Sequence, residues 1–267
     1  MTMTKKIKRK TRALIARLGY DVSPRGARYR LGLLDCIDKV ITRNSVDLIF
    51  DVGANVGQFA QYLRTELSYR GRIISFEPSP EVYRECLANA EADSNWTVYP
   101  WGLGAEQATL ELNVFSTSDM SSFKPSSAGN TPFNDAKVTQ TISVPVKTLD
   151  ETVDELGLVL RPQSYIIKCD TQGFDLEVFR GGRTTVSNAA ALLTEVSQIQ
   201  IYDGVPDFLD AIAELRGYGF EVASLTPVTF HGMAALEFDC LMVKQEKQQT
   251  APEIMRDPLS PENGLFH

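Results

Sequence analysis

Apolar and polar positions along the chain alternate between two periods. Leu31, Leu34, Ile37, Val40 and Ile41 recur at helical spacing over residues 31 to 45. A mostly apolar run follows at 46–52, then a helical stretch at 57–69, a second run at 72–77, a helix at 79–92 and a third run at 96–100. Runs that are apolar on both faces, separated by helices, predict a parallel sheet covered by helices on each side. The pattern shifts after residue 103: 108–115 and 139–146 alternate as two strands of a hairpin, separated by the Ser, Gly, Asn and Pro-rich stretch 116–135. A polar segment of that length inside a compact domain is either disordered or a binding lid, and its place on the ligand side of the sheet favours the lid. The first pattern then resumes, with helices at 149–156, 174–180 and 206–217 and strands at 165–170, 190–196, 219–225 and 238–243. Seven strands belong to the sheet in this reading.

The expected organisation is a basic helical leader over 1–45, one α/β domain over 46–244 with a lid insertion at 103–146, and a mobile tail over 245–267. A chain of 267 residues fills one large α/β domain and falls short of two. Hydrophobic residues make up 43% and charged residues 23%, ordinary values for a globular protein. No run reaches the roughly 18 apolar residues of a membrane span, and no apolar segment follows the basic N-terminus as a secretory signal requires. Cys36, Cys86, Cys169 and Cys240 lack paired spacing, which points to reduced thiols and a cytoplasmic setting. The net charge of -7 conceals an asymmetry, because residues 1 to 30 carry ten basic side chains against Asp21 alone. That arm, with Leu14, Ile15 and Leu18 on one helical face, either touches an anionic membrane surface or lies on the acidic body of its own domain. The acidic body argues against nucleic acid as a partner.

The candidate chemistry lies where strands end. Leu48–Val52 runs into Gly53-Ala54-Asn55-Val56-Gly57, and the next strand ends at Glu77. A glycine turn lets backbone approach a ligand, the following helix offers unpaired N–H groups, and an acid at the second strand end accepts both hydroxyls of a ribose. The spacing Gly-x-Asn-x-Gly lacks the third glycine of dinucleotide binders and is not followed by the Gly-Lys-Ser/Thr of a P-loop. A nucleoside site is one reading, and a ligand-free strand-turn-helix is the other. Asp170, ending the fourth strand, either orients or deprotonates an acceptor hydroxyl or caps the helix at Phe174. Glu195 ends the neighbouring strand, so the two carboxylates would either hold Mg²⁺ or bind acceptor hydroxyls directly. His231 reads as a loop histidine that reaches the cleft as a base or stays on the surface, and Ser121 and Ser122 are lid hydroxyls.

With Phe50-Asp51-Val52-Gly53-Ala54-Asn55-Val56-Gly57, Phe76-Glu77-Pro78-Ser79-Pro80, Val146-Lys147-Thr148-Leu149-Asp150 and Ile167-Lys168-Cys169-Asp170-Thr171-Gln172-Gly173 in this order, residues 46 to 226 resemble the FkbM branch of class I S-adenosylmethionine-dependent methyltransferases. The resemblance implies a Rossmann-like seven-stranded, mostly parallel sheet with helices on both faces and an antiparallel last strand. It implies that Asp51, Gly53, Asn55 and Gly57 hold the amino-acid end of S-adenosylmethionine, that Glu77 binds its ribose, and that Trp101 lies against the adenine. It further implies O-methylation of a hydroxyl on a sugar, glycolipid or secondary metabolite, with a small-molecule or lipid-linked saccharide acceptor. Gln172 departs from the family, which commonly has a glutamate there. An NAD(P)-dependent Rossmann oxidoreductase and a non-catalytic nucleoside-binding module are the alternatives.

Overall fold

The computed structural model describes residues 28–115, 121–125 and 138–245, with side chains from residue 32 onward. The leader before Arg28, most of the lid and the tail beyond Gln245 lie outside the described residues. Seven strands form one sheet: β1 (Leu48–Val52), β2 (Arg72–Phe76), β3 (Trp96–Tyr99), β7 (Tyr165–Cys169), β8 (Ala191–Ser197), β9 (Phe220–His231) and β10 (Ala234–Lys244). Their spatial order is β3-β2-β1-β7-β8-β10-β9. The strands from β3 to β8 are mutually parallel, whereas β10 runs antiparallel to both β8 and β9. This is the expected arrangement, and every one of the seven anticipated runs takes its place in it.

Both faces are covered, as continuous apolar strands require. On one side α1 (Arg28–Asn44), α2 (Gln58–Thr65) and α3 (Pro80–Ala90) bury Leu33, Ile37, Leu63 and Cys86 against Ile49, Ile73 and Ile166. On the other, α4 (Leu149–Glu155), α5 (Asp175–Gly181), α6 (Arg183–Ser187) and α7 (Phe208–Gly217) bury Leu149, Phe179, Val186 and Leu215 against Phe50, Ile74 and Ile167. Helix α1 lies across β9 and β10.

A small second sheet follows, in which β6 (Val138–Lys147) lies between β4 (Gly102–Leu103) and β5 (Ala108–Phe115). Residues 121–125 return over the strand ends: Phe123 packs on Phe174 with ring centroids 5.0 Å apart, and Asp203 N donates to Pro125 O at 3.0 Å. Strand β9 extends six residues beyond the expected end at residue 225. His231 consequently pairs with Ala234 at the exposed tip of the β9–β10 hairpin.

Candidate active site

At the carboxyl end of β1 the chain turns on Gly53 (φ 70°), Asn55 (φ 49°) and Gly57 (φ 85°), all left-handed. The two glycines are required by the protein's own packing. A Cβ on Gly53 would lie 2.0 Å from the Asp170 carbonyl oxygen, and one on Gly57 would lie 2.4 Å from the Trp96 ring. Asn55 Oδ1 accepts from Val56 N at 2.8 Å, which closes the turn locally and holds the asparagine in a region few residues tolerate.

Glu77 faces the back of this turn. Its Oε2 accepts from Asn55 N and its Oε1 from Ser79 N, both at 2.9 Å. Each carboxylate oxygen has a second lone pair, so two hydroxyls can still be accepted there. Burial pushes the Glu77 carboxyl up to about 7, against the opposing pull of the two backbone N–H groups and of Lys168.

Asp51 is fully buried beneath the turn. Trp96 Nε1 donates to Ser75 Oγ at 2.9 Å, Ser75 Oγ to Asp51 Oδ2 at 3.2 Å, and Lys168 Nζ lies 3.0 Å from Asp51 Oδ1. Lys168 Nζ also donates to Gly53 O at 3.0 Å. Burial disfavours the lysine's charge, but Asp51 and Asp170 outweigh it and raise its pKa, so the ammonium stays protonated. Asp51 thus acts from below, holding the lysine that clamps the turn.

Above the turn is a cavity of about 550 Å³. Gly53, Ala54, Asn55 and Phe59 form one wall, Lys168, Asp170, Gln172 and Glu195 the floor, and Thr229, Glu237 and Asp239 the far side. Leu33, Leu34 and Ile37 of α1 close it. Asp170, nearly half exposed, lies 3.7 Å from Lys168 Nζ and accepts from Gln172 Nε2 at 3.0 Å. The same amide nitrogen lies 3.3 Å from Glu195 Oε2. Burial, followed by Asp170, Glu237, Asp175 and Asp239, raises the Glu195 pKa well above the usual carboxylate range. Ser121 also lines the cavity, whereas Ser122 Oγ donates to Gln172 O at 2.6 Å and accepts from Lys124 N.

Of the residues singled out from sequence, Gly53, Asn55, Asp170 and Glu195 therefore meet in one cavity. Asp51, Gly57, Glu77 and Trp101 lie outside its lining. Trp101 packs against Tyr99 with ring centroids 4.6 Å apart and planes tilted by 35°, and Lys147 Nζ lies 4.5 Å above its ring. His231 is not brought to the site. The helix-capping alternative for Asp170 is not what the structure shows. Asp175 accepts from Thr171 N at 2.8 Å and from Thr194 Oγ1 at 2.6 Å, tying the β7–α5 turn to β8. This role of Asp175 was not legible because Thr194 lies nineteen residues away on another strand. Likewise Asp150 accepts from Thr184 N and Thr185 N at 3.0 and 2.9 Å, capping α6.

Among the described residues no three His, Cys, Asp or Glu side chains gather as a metal-binding group. Asp170 and Glu195 are joined by an amide N–H donor, and two carboxylates so occupied do not fit a hard cation that takes six or more oxygen ligands.

The family model for the methyltransferase FkbM domain matches residues 51–222, which spans the turn, the cavity floor and β8. The chain belongs to this family. Among curated relatives, the hexuronic acid methyltransferase AglP of Haloferax volcanii is 28% identical over 152 residues, 56% of this chain and 56% of that protein. The 2-O-methyltransferase NoeI of Sinorhizobium fredii is 24% identical over 164 residues, 59% of this chain and 66% of that one. The chain thus spans less than two thirds of either relative. A looser likeness links it to the crystal structure of an FkbM methyltransferase from Methylobacillus flagellatus, at 17% identity, TM-score 0.46, and coverage of 74% and 43% of the two chains.

Proposed function

We propose that this FkbM-domain chain transfers a methyl group from S-adenosylmethionine to a hydroxyl of a saccharide or a similar secondary metabolite. The carrying observation is the pairing of the Gly53–Gly57 turn with Glu77, whose carboxylate supports Asn55 N while retaining lone pairs for two ribose hydroxyls. The saccharide class is suggested by AglP and NoeI, which act on a hexuronic acid and at a 2-O position respectively.

When bound, the cofactor supplies a methyl carbon activated by a positively charged sulfur. The residues of this chain must then align an acceptor oxygen, exclude water and remove one proton. Asp170 suits the last task, with an accessible carboxylate at the cavity floor beside Lys168 and Gln172. Burial beside other acids raises the Glu195 pKa, which favours the protonated form that donates a hydrogen bond to the acceptor. Helix α1 and Phe59 provide the dry wall. No step passes through Mg²⁺, given the poor fit of its candidate ligands.

The basic leader would suit a lipid-linked acceptor at an anionic surface. Removing residues 1 to 28 should then reduce liposome association with cofactor affinity unchanged, and equal association would dispose of that extension. The main proposal is tested by incubating the protein with S-adenosyl[methyl-³H]methionine and a panel of neutral, amino and uronic saccharides. Transfer abolished by Asp170→Asn supports it; transfer that survives Asp170→Asn removes Asp170 from the mechanism.

A further inference from the structure

Gln172 is the least regular residue of the cavity. It holds φ at 52°, a left-handed value that glycine adopts freely and glutamine rarely does. Its hydrogen bonds reach four separate segments. Nε2 donates to Asp170 Oδ1 at 3.0 Å at the end of β7 and lies 3.3 Å from Glu195 Oε2 in β8. Oε1 accepts from the Tyr202 hydroxyl at 2.9 Å, which fixes the amide with its nitrogen toward the two acids. The backbone oxygen accepts from Ser122 Oγ at 2.6 Å, a buried lid hydroxyl.

An amide suits this place for a definite reason. Two carboxylates in one cavity repel each other unless a cation, a shared proton or a donor lies between them. A primary amide has two donor hydrogens and an oxygen, so with Tyr202 anchoring the oxygen it can serve both acids at once. A glutamate at position 172 would instead add a third carboxylate to Asp170 and Glu195. We propose that Gln172 is a positioning residue that sets Asp170 and Glu195 as an unlike pair toward the acceptor and joins that pair to the lid through Ser122.

The two members are unlike because their surroundings differ. Asp170 is nearly half exposed, receives the shorter bond from Gln172 and has Lys168 at 3.7 Å. Glu195 is surrounded by Asp170 from β7, Asp175 from α5, and Glu237 and Asp239 from β10, with burial the largest influence on its proton. The pair therefore offers one acceptor and one donor to a hydroxyl group. This inference rests on the proposed transferase reading, because only an acceptor hydroxyl gives the pair a task.

The test needs no acceptor. Full-length protein labelled with ¹³C at Asp and Glu side-chain carboxyls is titrated by NMR, with the two resonances assigned from Asp170→Asn and Glu195→Gln. Glu195 should titrate above the usual carboxylate range. The nearly isosteric Gln172→Glu should raise both midpoints by about one pH unit or more, and Tyr202→Phe should move Asp170 upward by less. Midpoints that do not move in folded Gln172→Glu would overturn the positioning role, as would equal midpoints for the two acids in wild type. Absence of S-adenosylhomocysteine binding to wild type, with the midpoints shifting as expected, would instead count against the transferase reading alone.

Discussion

Glu77 braces the turn after β1 by accepting from two backbone N–H groups, and its burial sets its pH response. The folded protein keeps the Glu77 proton up to about pH 7, whereas an ordinary glutamate releases it near 4.5. Between those values the folded state binds more protons, so stability from this group is full below 4.5 and is lost as pH rises through 7. The loss amounts to about 3 kcal/mol. Glu77→Gln should remove that slope, so urea denaturation of wild type and variant should diverge by about this amount between pH 5 and pH 8, with wild type falling. Parallel curves would mean that Glu77 is ionised throughout. Lys168 gives a second test at this scale. Lys168→Met leaves Asp51 buried without its cation and should cost about 3 to 5 kcal/mol in the same assay. A loss below about 1 kcal/mol would show that Ser75 alone suffices for Asp51.

At the scale of elements, the strands of the main sheet were legible because each is an apolar run between turn residues. The edge strand β9 was read short for a physical reason: beyond Phe220, only Thr226 is buried, so no alternation marks the segment from Val222 to His231. Pro227 interrupts it further, in a position an edge strand tolerates. That is why His231 looked like a loop base. Helix α6 was missed because its cap, Asp150, comes from a helix more than thirty residues upstream. The same aspartate belongs to a block that carried the family resemblance, and the structure gives it a supporting role. Thr148 caps α4 by accepting from Glu151 N, with Glu151 returning toward the threonine hydroxyl. Asp150→Ala should therefore lower stability by about 1 to 2 kcal/mol and leave S-adenosylhomocysteine affinity unchanged in calorimetry. A large loss of affinity would assign the block to the cofactor site after all.

Across the whole molecule, the cavity is assembled from both halves of the chain. The turn after β1, the β7 and β8 ends and the β9–β10 hairpin converge because the strand order places β1, β7, β8 and β10 side by side. Sequence showed the first three as separate motifs, and it showed α1 as an amphipathic helix without revealing what it covers. Ile37 is 2% exposed and faces both the core and the cavity, so Ile37→Ala should cost about 2 to 4 kcal/mol and also weaken ligand binding. Stability lost with affinity intact would confine α1 to a structural role. Charge is divided on the same scale, with a basic leader before an acidic body, and the cavity carries Asp170, Glu195, Glu237 and Asp239 on its walls. In the proposed function the turn and Glu77 form a seat for an adenosine bearing a sulfonium. It is tested most directly by titrating the full chain with S-adenosylmethionine and with NAD⁺ in a calorimeter. The account predicts one saturable site for S-adenosylmethionine, weakened at least tenfold by Glu77→Ala, and no heat from NAD⁺; saturable NAD⁺ binding, or none by either compound, would contradict it.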